Sequence, residues 1–356
     1  MTERVRAAAA DGTPLRIRGG GSKDFYGQSL LGEVLDTRPL SGVVSYEPSE
    51  LVVTVRAGTP LAELEAVLAE KGQYLPFEPP HFDSYSGTTT GSAATCGGMV
   101  AAGLSGPPRA NVGGVRDYML GVVVLNGRSE LLTFGGQVMK NVAGYDVSRL
   151  MAGALGTLGL LVEVSLKVLP VAPAESTLVF EMDEAQALAQ LNRWGALPLP
   201  INASCWHEGA LMVRLRGARA AVAAAHKTMG GSVMEQQTGQ LWSALREHTG
   251  PFFALREFES LLRLSVPDST PPLNLGPTLI EWGGAQRWLK LPLRQAVDCA
   301  KMLGNVAGHA TIFRARDKSP GVFSALAPPL DRIHRELKKQ FDPAGVFNRG
   351  RMFADF

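Results

Sequence analysis

Short runs of alternating hydrophobic and polar residues occur near the start of the chain. Residues 15–18 (LRIR) alternate apolar with basic side chains, which predicts a strand with one buried face. The strand runs into residues 19–23 (GGGSK), where consecutive backbone N–H groups can point at one anion, although a loose turn would use the same residues. Residues 42–55 (GVVSYEPSELVVTV) predict two more strands, joined by a turn at residues 47–49.

The next apolar repeat has a helical period. One face of the predicted helix carries three leucines, Leu61, Leu64 and Leu68. Thr59 suits the N-cap and Pro60 the first helical position, and Gly72 can close the helix. We predict that this helix is structural, and we assign it no catalytic or binding role.

Two later stretches are too rich in small residues for the core of an ordinary helix or strand. Residues 134–170 hold six glycines, at positions 135, 136, 144, 153, 156 and 159, followed by a strand-like run over residues 160–169. Because glycine costs backbone entropy, this density indicates positive φ or a close approach of the main chain to something. We interpret residues 134–170 as the floor of a cofactor site, and residues 96–106 as backbone lying along an extended ligand. Residues 83–94 alone fit an insertion, and residues 121–132 predict a hairpin that turns at Asn126-Gly127.

The pattern of predicted elements changes after Pro170. Residues 184–194 and 218–229 predict helices, and a strand is predicted over residues 210–215 between them. Residues 328–341 predict a final helix, followed by a polar tail that either folds back on the first domain or frays. The fold class is therefore α+β, with domains over residues 1–170 and 171–327 and a C-terminal helix and tail over residues 328–356.

Composition excludes several classes of protein. The chain is 45% hydrophobic and 19% charged with a formal net charge of +2, and no basic run suggests a nucleic-acid surface. Its three cysteines, Cys96, Cys205 and Cys299, lie too far apart for a cysteine metal site or an iron–sulfur cluster. Neither a Walker loop nor a Rossmann GxGxxG motif is present, which counts against a nicotinamide cofactor. We expect no signal peptide and no transmembrane helix, and hence a cytoplasmic protein.

Taken in order, the motifs resemble a known flavoprotein family. Residues 18–22 (RGGGS), 55–61 (VRAGTPL), 96–101 (CGGMVA), 144–147 (GYDV) and 156–161 (GTLGLL) are similar to the vanillyl-alcohol-oxidase or PCMH-type FAD-binding domain. Four further segments, residues 134–146, 281–288 (EWGGAQRW), 308–311 (GHAT) and 347–352 (FNRGRM), resemble the smaller FAD-binding subunits of bacterial glycolate oxidase. Where that family has Asn-Pro-Gly, this chain has Asn348-Arg349-Gly350.

The resemblance implies FAD bound by the first domain. The glycine loop would donate backbone N–H groups to the pyrophosphate, and the second domain would cover the flavin and shape the substrate pocket. Covalent relatives bond the flavin through histidine or cysteine, but Ser22 and Lys23 follow the loop here, so we expect non-covalent FAD. The cofactor-binding residues implied are Arg18, Gly19, Gly20, Gly21, Ser22, Lys23, Cys96, Gly97, Gly98, Ala101, Ala102, Gly103, Gly106, Gly114, Asp117, Gly156, Thr157, Gly159, Leu161, Val162, Asn348 and Arg351.

The reaction implied is two-electron oxidation of a short 2-hydroxy acid, such as glycolate, to the 2-oxo acid. This chemistry needs a base for the hydroxyl proton and a cation for the carboxylate. His309, Arg287 and His81 are the candidates, although a lone histidine is more often structural or solvated. No metal site is expected.

Electron transfer onward would need partners, because the chain has no cysteine set for an iron–sulfur cluster. The resemblance implies a larger FAD-binding subunit and an iron–sulfur subunit of a glycolate oxidase complex, which could attach the chain to the inner face of the cell membrane. Two alternatives stay open. In the first, the chain would be a self-sufficient FAD-dependent D-lactate or sugar-lactone dehydrogenase. In the second, it would be a non-catalytic assembly subunit.

Overall fold

Two compact units make up the part of the chain that the computed structural model describes, residues 1–85, 93–136, 145–302 and 308–354. Unit 1 comprises residues 1–104, 114–170 and 325–356, and unit 2 comprises residues 105–113 and 171–324. The helices are α1 (Thr2–Asp11), α2 (Leu61–Ala69), α3 (Cys96–Ala102), α4 (Arg109–Val112), α5 (Val147–Leu150), α6 (Glu184–Gly195), α7 (Arg219–Met229), α8 (Thr238–Glu247), α9 (Leu293–Met302) and α10 (Leu330–Phe341).

Unit 1 is built on a five-stranded antiparallel sheet with strand order β3-β4-β8-β6-β7. A parallel pair, β1-β2, and a short antiparallel pair, β5-β9, lie beside it. The three predicted leucines of α2 are fully buried in the core of this unit. The strands of unit 1 are β1 (Leu15–Arg18), β2 (Glu33–Asp36), β3 (Val43–Glu47), β4 (Val52–Arg56), β5 (Gln73–Tyr74), β6 (Met119–Leu125), β7 (Leu131–Gly135), β8 (Leu160–Lys167) and β9 (Leu169–Pro170).

The C-terminal segment completes unit 1. Lys338 on α10 is buried, and its ammonium donates to the carbonyl of Thr157 at 2.7 Å, the carboxylate of Asp342 at 2.7 Å and the carbonyl of Phe347 at 2.9 Å. Phe347 also forms a parallel bridge with Leu15 at the start of β1. The segment after α10 is therefore ordered by hydrogen bonds to the first strand of the chain.

Unit 2 contains an eight-stranded sheet with the order β13-β10-β12-β11-β15-β16-β14-β17. Helices α6 and α7 contribute Leu191, Trp194 and Val222 to one apolar cluster, and α9 contributes Ala296 and Cys299 to another. The strands of unit 2 are β10 (Ala174–Glu181), β11 (Ile201–His207), β12 (Ala210–Gly217), β13 (Ser232–Val233), β14 (Glu259–Ser265), β15 (Thr278–Glu281), β16 (Gln286–Pro292) and β17 (His309–Arg314).

One short segment departs from the domain boundaries that we expected. Residues 105–113, predicted to lie in the first domain, group with unit 2. The guanidinium of Arg109 stacks 4.6 Å from the ring centre of Trp282, whose indole N–H donates to the carbonyl of Gly106 at 3.1 Å. The side chain of Asn111 donates to the carbonyl of Asn202 at 3.1 Å. These polar contacts hold the segment within unit 2.

Most of the predicted elements of the α+β fold occur as expected, with small shifts at their ends. The helix predicted at Thr59 starts at Leu61, because the hydroxyl of Thr59 instead accepts from the backbone N–H of Gly42 at 2.9 Å. The hairpin turn is longer than Asn126-Gly127, since the N–H of Asn126 donates to the carbonyl of Glu130. Among the described residues, no helix is both long and apolar enough to cross a membrane.

Candidate cofactor site

Unit 1 contains a cleft of about 780 Å³, counted with its open side. It is bordered by the end of β1 and the glycine loop, by α3, by the turn before β8, and by the C-terminal segment. The lining residues are Ile17, Arg18, Gly19, Gly20, Gly21, Ser22, Lys23, Asp24, Leu30, Thr37, Ala57, Ala93, Thr95, Gly97, Gly98, Ala101, Ala102, Leu155, Gly156, Gly159, Leu161, Asn348 and Arg351.

The glycine loop presents backbone donors to this cleft. The N–H groups of Gly20, Gly21 and Ser22 donate to no acceptor among the described residues. Gly21 has a φ of 83°, the left-handed value that lets successive N–H groups converge. Because three neighbouring amides line one cleft, the loop forms a concave donor site suited to an anion such as a phosphate group.

Close packing explains why the loop needs glycine. A Cβ on Gly20 would lie 1.7 Å from the carbonyl oxygen of Ala93, and one on Gly19 would lie 2.3 Å from the hydroxyl of Thr95. Thr95 caps α3, its hydroxyl accepting from the N–H of Gly98 at 3.2 Å. The loop and the start of α3 are therefore in direct backbone contact, and side chains are excluded between them.

Helix α3 forms a second wall made of small side chains. Gly97, Gly98, Ala101 and Ala102 all line the cleft, so its surface there is nearly bare backbone. A Cβ on Gly97 would lie 2.6 Å from the side chain of Ala57 on the strand side. A flat or extended ligand can thus lie along α3 without meeting a large side chain.

The third wall is a turn held in a left-handed conformation. Leu155 and Gly156 have φ values of 51° and 72°. The side chain of Asn348 donates to the carbonyl of Leu155 at 2.6 Å and accepts from the N–H of Ile17 at 2.7 Å. Asn348 therefore joins the end of β1 to the 155–156 turn at the edge of the cleft.

Two arginines fix the segment that follows the glycine loop. Arg18 donates to the carboxylate of Asp24 at 2.7 Å. Arg351 donates to the carbonyls of Asp24 at 3.0 Å, Lys23 at 3.3 Å and Gln28. Burial lowers the pKa of Arg351 to about 10, although the charge of Asp24 acts in the opposite direction. Arg351 stays protonated at neutral pH and holds the rim in place.

The structure brings fifteen of the predicted cofactor-binding residues together in the cleft. They are Arg18, Gly19, Gly20, Gly21, Ser22, Lys23, Gly97, Gly98, Ala101, Ala102, Gly156, Gly159, Leu161, Asn348 and Arg351. Sequence reasoning missed Ile17, Asp24, Leu30, Thr37, Ala57, Ala93, Thr95 and Leu155. The N-cap preference of threonine could have identified Thr95, but nothing in the sequence marks Leu155 as a residue with positive φ.

Four predicted residues shape unit 1 without lining the cleft. Cys96 is fully buried, and burial together with the charges of Glu65 and Glu63 raises the pKa of its thiol. Gly103 ends α3 with a φ of 64°, where a Cβ would lie 2.7 Å from the Cα of Gly153. The hydroxyl of Thr157 donates to the carbonyl of Ala154, and the carbonyl of Val162 accepts from Ala57.

The other three predicted residues that lie outside the cleft have hydrogen-bond partners elsewhere in the fold. Gly106 belongs to unit 2, where its carbonyl accepts from Trp282. Gly114 and Asp117 bond to each other, because the N–H of Gly114 donates to the carboxylate of Asp117 at 2.8 Å. Gly114 and Asp117 thus have partners within their own turn, whereas the partner of Gly106 comes from a distant part of the chain. Residues 137–144 of the motif that we assigned to the cofactor floor lie outside the described residues.

Arg287 does not match its predicted role as the cation for a substrate. Its side chain is 1% exposed and donates to the carbonyls of Gly284 at 3.2 Å, Pro271 at 2.8 Å and Thr270. The carboxylate of Glu184 lies 3.9 Å away. Arg287 therefore stabilises the 270–284 region of unit 2 from inside and is shielded from solvent.

The two candidate histidines lie in different units. His81, in unit 1, has its Nε2 2.9 Å from a carboxylate oxygen of Glu65, and its carbonyl accepts from Lys23 at 3.1 Å. His309, at the start of β17 in unit 2, is exposed. Desolvation by its neighbours and the positive charges of Arg263 and Arg109 lower the pKa of His309. Its imidazole is thus neutral at neutral pH and able to accept a proton.

The residues of the cleft suit FAD. Amide donors for a diphosphate and walls of glycine and alanine for flat rings occur in one cavity, as a dinucleotide requires. The described part of the cleft wall holds no histidine or cysteine, the side chains that bond flavin in covalent relatives. Among the described residues there is also no cluster of three or more His, Cys, Asp or Glu able to hold a metal ion.

Comparisons with known proteins agree with this assignment. Residues 1–135 match a family described as an FAD binding domain. All 356 residues align, at 46% identity, with 97% of the glycolate oxidase subunit GlcE of Escherichia coli (strain K12). The glycolate oxidase subunit GlcD of Bacillus subtilis (strain 168) is 28% identical over 159 residues, 45% of this chain but only 32% of GlcD.

Solved structures support the fold alone, because their sequence identity to this chain is low. p-Cresol methylhydroxylase with substrate bound has a TM-score of 0.72 at 13% identity, covering 99% of this chain and 87% of that one. Alkyldihydroxyacetonephosphate synthase has a TM-score of 0.67 at 14% identity, covering 98% of this chain and 73% of that one. The predicted PCMH-type α+β fold is thereby confirmed.

Proposed function

We propose, because the chain belongs to the family of the glycolate oxidase subunit GlcE, that it is the FAD-binding subunit of a multi-subunit oxidoreductase. Its substrate would be glycolate or a similar short 2-hydroxy acid, oxidised to the 2-oxo acid. The observation that carries the proposal is the cleft of unit 1, whose amide donors and small-residue walls lie on the FAD-binding domain. The non-covalent binding of FAD in this cleft is part of the proposal.

Residues of the cleft would divide the work of binding. The N–H groups of Gly20, Gly21 and Ser22 would donate hydrogen bonds to the diphosphate. The positive charges of the neighbouring Arg18 and Lys23 would stabilise its negative charge. The small residues of α3 and the 155–156 turn would lie against the rings. Bound FAD supplies a two-electron acceptor for the hydride of the substrate.

A base is needed to take the hydroxyl proton as the 2-hydroxy acid is oxidised. His309 suits this role better than His81. The lowered pKa of His309 leaves its imidazole neutral, and its side chain is exposed. The imidazole of His81 is instead hydrogen-bonded to the carboxylate of Glu65, and its backbone carbonyl accepts from the ammonium of Lys23.

Partner subunits form the second part of the proposal. The E. coli relative is itself called a subunit, and the three cysteines of this chain are separate and buried. A larger FAD-binding subunit and an iron–sulfur subunit would carry the electrons onward. We place the complex in the cytoplasm, at the inner face of the cell membrane through these partners.

The visible spectrum of the purified chain tests the proposal. Flavin absorbance, after reconstitution with FAD where necessary, is the expected result, and its absence would leave only an assembly role. Anaerobic glycolate should bleach the flavin of the complex formed with the partner subunits. Bleaching of the isolated chain by D-lactate or a sugar lactone would instead favour a self-sufficient dehydrogenase, and no bleaching in the complex would refute the glycolate assignment.

A further inference from the structure

Residues 78–85 of unit 1 form a strained segment next to the glycine loop. Two of these residues have a left-handed backbone although neither is glycine: φ is 43° at Glu78 and 56° at Phe82. Phe82 is also only 1% exposed. Backbone strain of this kind persists where surrounding contacts fix it, and it is concentrated near functional sites. The contacts of the 78–85 segment therefore indicate what the strain supports.

One set of contacts joins this segment to the end of the glycine loop. The ammonium of Lys23, a residue of the cleft wall, donates to the carbonyl of His81 at 3.1 Å. The same ammonium lies 5.7 Å from the ring centre of Phe82. The ring of Phe25 packs edge-on against Phe82, with 5.4 Å between the ring centres. The 78–85 segment thus holds the residues that directly follow the loop.

A second set of contacts joins the segment to the backbone on which the glycine loop packs. One carboxylate oxygen of Asp83 accepts from two successive amides, the N–H of Ala93 at 2.8 Å and that of Ala94 at 3.2 Å. Ala93 meets the loop directly, because a Cβ on Gly20 would lie 1.7 Å from its carbonyl oxygen. Asp83 therefore fixes the part of the backbone that sets the position of Gly20.

His81 anchors the segment to helix α2. Its Nε2 lies 2.9 Å from a carboxylate oxygen of Glu65 on that helix, and its Nδ1 lies 3.8 Å from the carboxylate of Asp83. The side chain of His81 is 12% exposed. The imidazole is thus held between two carboxylates, one on α2 and one that binds the 93–94 amides. The carbonyl of the same residue binds Lys23.

We propose that Asp83 and His81 are positioning residues of the glycine loop, which hold the amides of Gly20, Gly21 and Ser22 in the conformation that binds a diphosphate. Neither side chain borders the described cleft, so both act through the backbone that they fix. His81 is then a support of the cofactor site and not the base of the reaction. That the diphosphate belongs to FAD rests on the proposed function, whereas the support of the loop rests on contacts within unit 1.

The physical basis is preorganisation. A site whose donors are already in place loses less conformational freedom when its ligand binds, and residues behind the contacting groups provide this order. Without the carboxylate of Asp83, the N–H groups of Ala93 and Ala94 would lose their acceptor at positions that are 8% and 2% exposed. Unpaired buried donors are costly, so this backbone would move to find new partners. Gly20 would move with it, because it packs directly on the carbonyl of Ala93.

Fluorescence titration of the flavin-free full chain with FAD tests the role of Asp83. Asp83→Ala should raise the Kd for FAD about tenfold or more, as expected when charged hydrogen bonds that order the loop are lost. Asp83→Asn keeps an acceptor oxygen for the two amides and should recover most of the affinity. The matched control is Asp317→Ala, because exposed Asp317 of unit 2 also accepts from a backbone N–H, that of Ser319 at 2.8 Å. This variant should bind FAD like the wild type.

His81 variants give a second test that leaves the bonds of Asp83 to the 93–94 amides in place. His81→Ala should raise the Kd for FAD severalfold, because the segment loses its anchor on Glu65. His81→Gln, whose side-chain amide can donate to the same carboxylate, should recover part of the affinity. This pair also keeps the proposal testable in the event that Asp83→Ala does not fold.

NMR of the flavin-free protein supplies a readout that needs no cofactor. In Asp83→Ala, the amide signals of Gly20, Gly21 and Ser22 should shift, and the amides of Ala93 and Ala94 should exchange faster with solvent. Asp83→Asn should return the loop signals towards their wild-type positions, and Asp317→Ala should leave them unchanged. A general folding defect would instead shift signals throughout unit 1 and would not be rescued by asparagine.

The outcomes separate this proposal from the proposed function. Wild-type affinity for FAD in folded Asp83→Ala and His81→Ala proteins would overturn the positioning role, as would unchanged loop signals in Asp83→Ala. A wild-type chain that binds no FAD, but whose loop signals still depend on Asp83, would uphold the support of the loop and refute the proposed function.

Discussion

Single residues in the interior of unit 2 carry unusual charge states, and Glu281 is the clearest. Its carboxylate is 3% exposed and accepts hydrogen bonds from Trp288 at 2.7 Å and Gln286 at 3.1 Å. Burial raises the pKa of Glu281 to about 7, although both hydrogen bonds act in the opposite direction. At a pH between the usual glutamate pKa and this raised value, the carboxyl group of Glu281 is therefore protonated in the folded chain and ionised in the unfolded chain.

This proton makes stability depend on pH. Between about pH 4.5 and pH 7 the folded state binds more protons than the unfolded state, so the free energy of unfolding falls as the pH rises. Glu281→Gln should remove this fall and raise the free energy of unfolding at pH 8 by about 2–3 kcal/mol. Urea unfolding at pH 5 and pH 8 measures the effect, and Glu235→Gln, at an exposed position, is the control. Equal pH dependence in wild type and Glu281→Gln would contradict the assignment.

The backbone of the glycine loop allows a matched test of the cleft. Gly20→Ala would push a methyl group into the carbonyl of Ala93, 1.7 Å from the ideal Cβ position, so the loop has to move. We expect weaker binding of FAD by about tenfold or more, corresponding to a loss of at least 1.4 kcal/mol. Flavin content after gel filtration measures it. Gly239→Ala, where a Cβ meets nothing within 4 Å, should bind FAD normally.

At the level of single residues, the sequence predicts the glycines of the cleft better than the chemistry of charged side chains. Runs of glycine identified the 19–22 loop and α3, because glycine density reflects backbone geometry that is local in the chain. The burial of Arg287 depends on carbonyls of residues 270, 271 and 284, which no local pattern reveals. The guanidinium of Arg263 likewise lies over the ring of Phe313 only because β14 pairs with β17.

Helix α10 shows how one element supports the cleft from outside. Lys338 is 8% exposed and binds the Thr157 and Phe347 carbonyls and the Asp342 carboxylate, while Asp342 accepts from the N–H groups of Val346 and Phe347. Burial lowers the pKa of Lys338, and the charge of Asp342 opposes this. The pair thus orients the segment that delivers Asn348 to the cleft.

Lys338→Met keeps the length of the side chain and removes its charge. The carboxylate of Asp342 would then be buried without its cation, so the free energy of unfolding should fall by about 3–5 kcal/mol. Chemical denaturation measures the loss, and flavin content should fall with it because Asn348 is no longer held. Lys339→Met, at the neighbouring exposed position, should change neither quantity. A Lys338→Met protein as stable as the wild type would show that the buried pair is not needed.

Element boundaries were predictable where the signals were local. Five elements occur within a few residues of their predicted ranges: helices α2, α6, α7 and α10 and strand β12. The hydrophobic period and the capping residues that predict them are local signals, because they depend only on residues close together in the chain. The N-cap of α2 differs because Thr59 bonds Gly42, seventeen positions earlier in the chain. The assignment of residues 105–113 to unit 2 likewise depends on a distant tryptophan, Trp282.

On the scale of the whole molecule, each unit and the cleft are built from segments that lie far apart in the chain. The chain crosses from one unit to the other four times, after residues 104, 113, 170 and 324. The PCMH-type resemblance was concentrated in the first 170 residues, yet the cleft is completed by Asn348 and Arg351. A fragment that carries every glycine motif is therefore still missing one wall of the site.

Removing residues 325–356 tests this dependence. A chain ending at residue 324 keeps all of unit 2 but loses α10, the bridge from Phe347 to Leu15, and the side chains that fix the 155–156 turn. We expect it to retain no FAD, and we expect the exchange of amide hydrogens to rise in β1 and in residues 153–159. Co-expression of residues 325–356 as a separate peptide should restore part of the flavin content. A truncated chain that binds FAD as tightly as the full chain would show that residues 1–170 form the cofactor site alone.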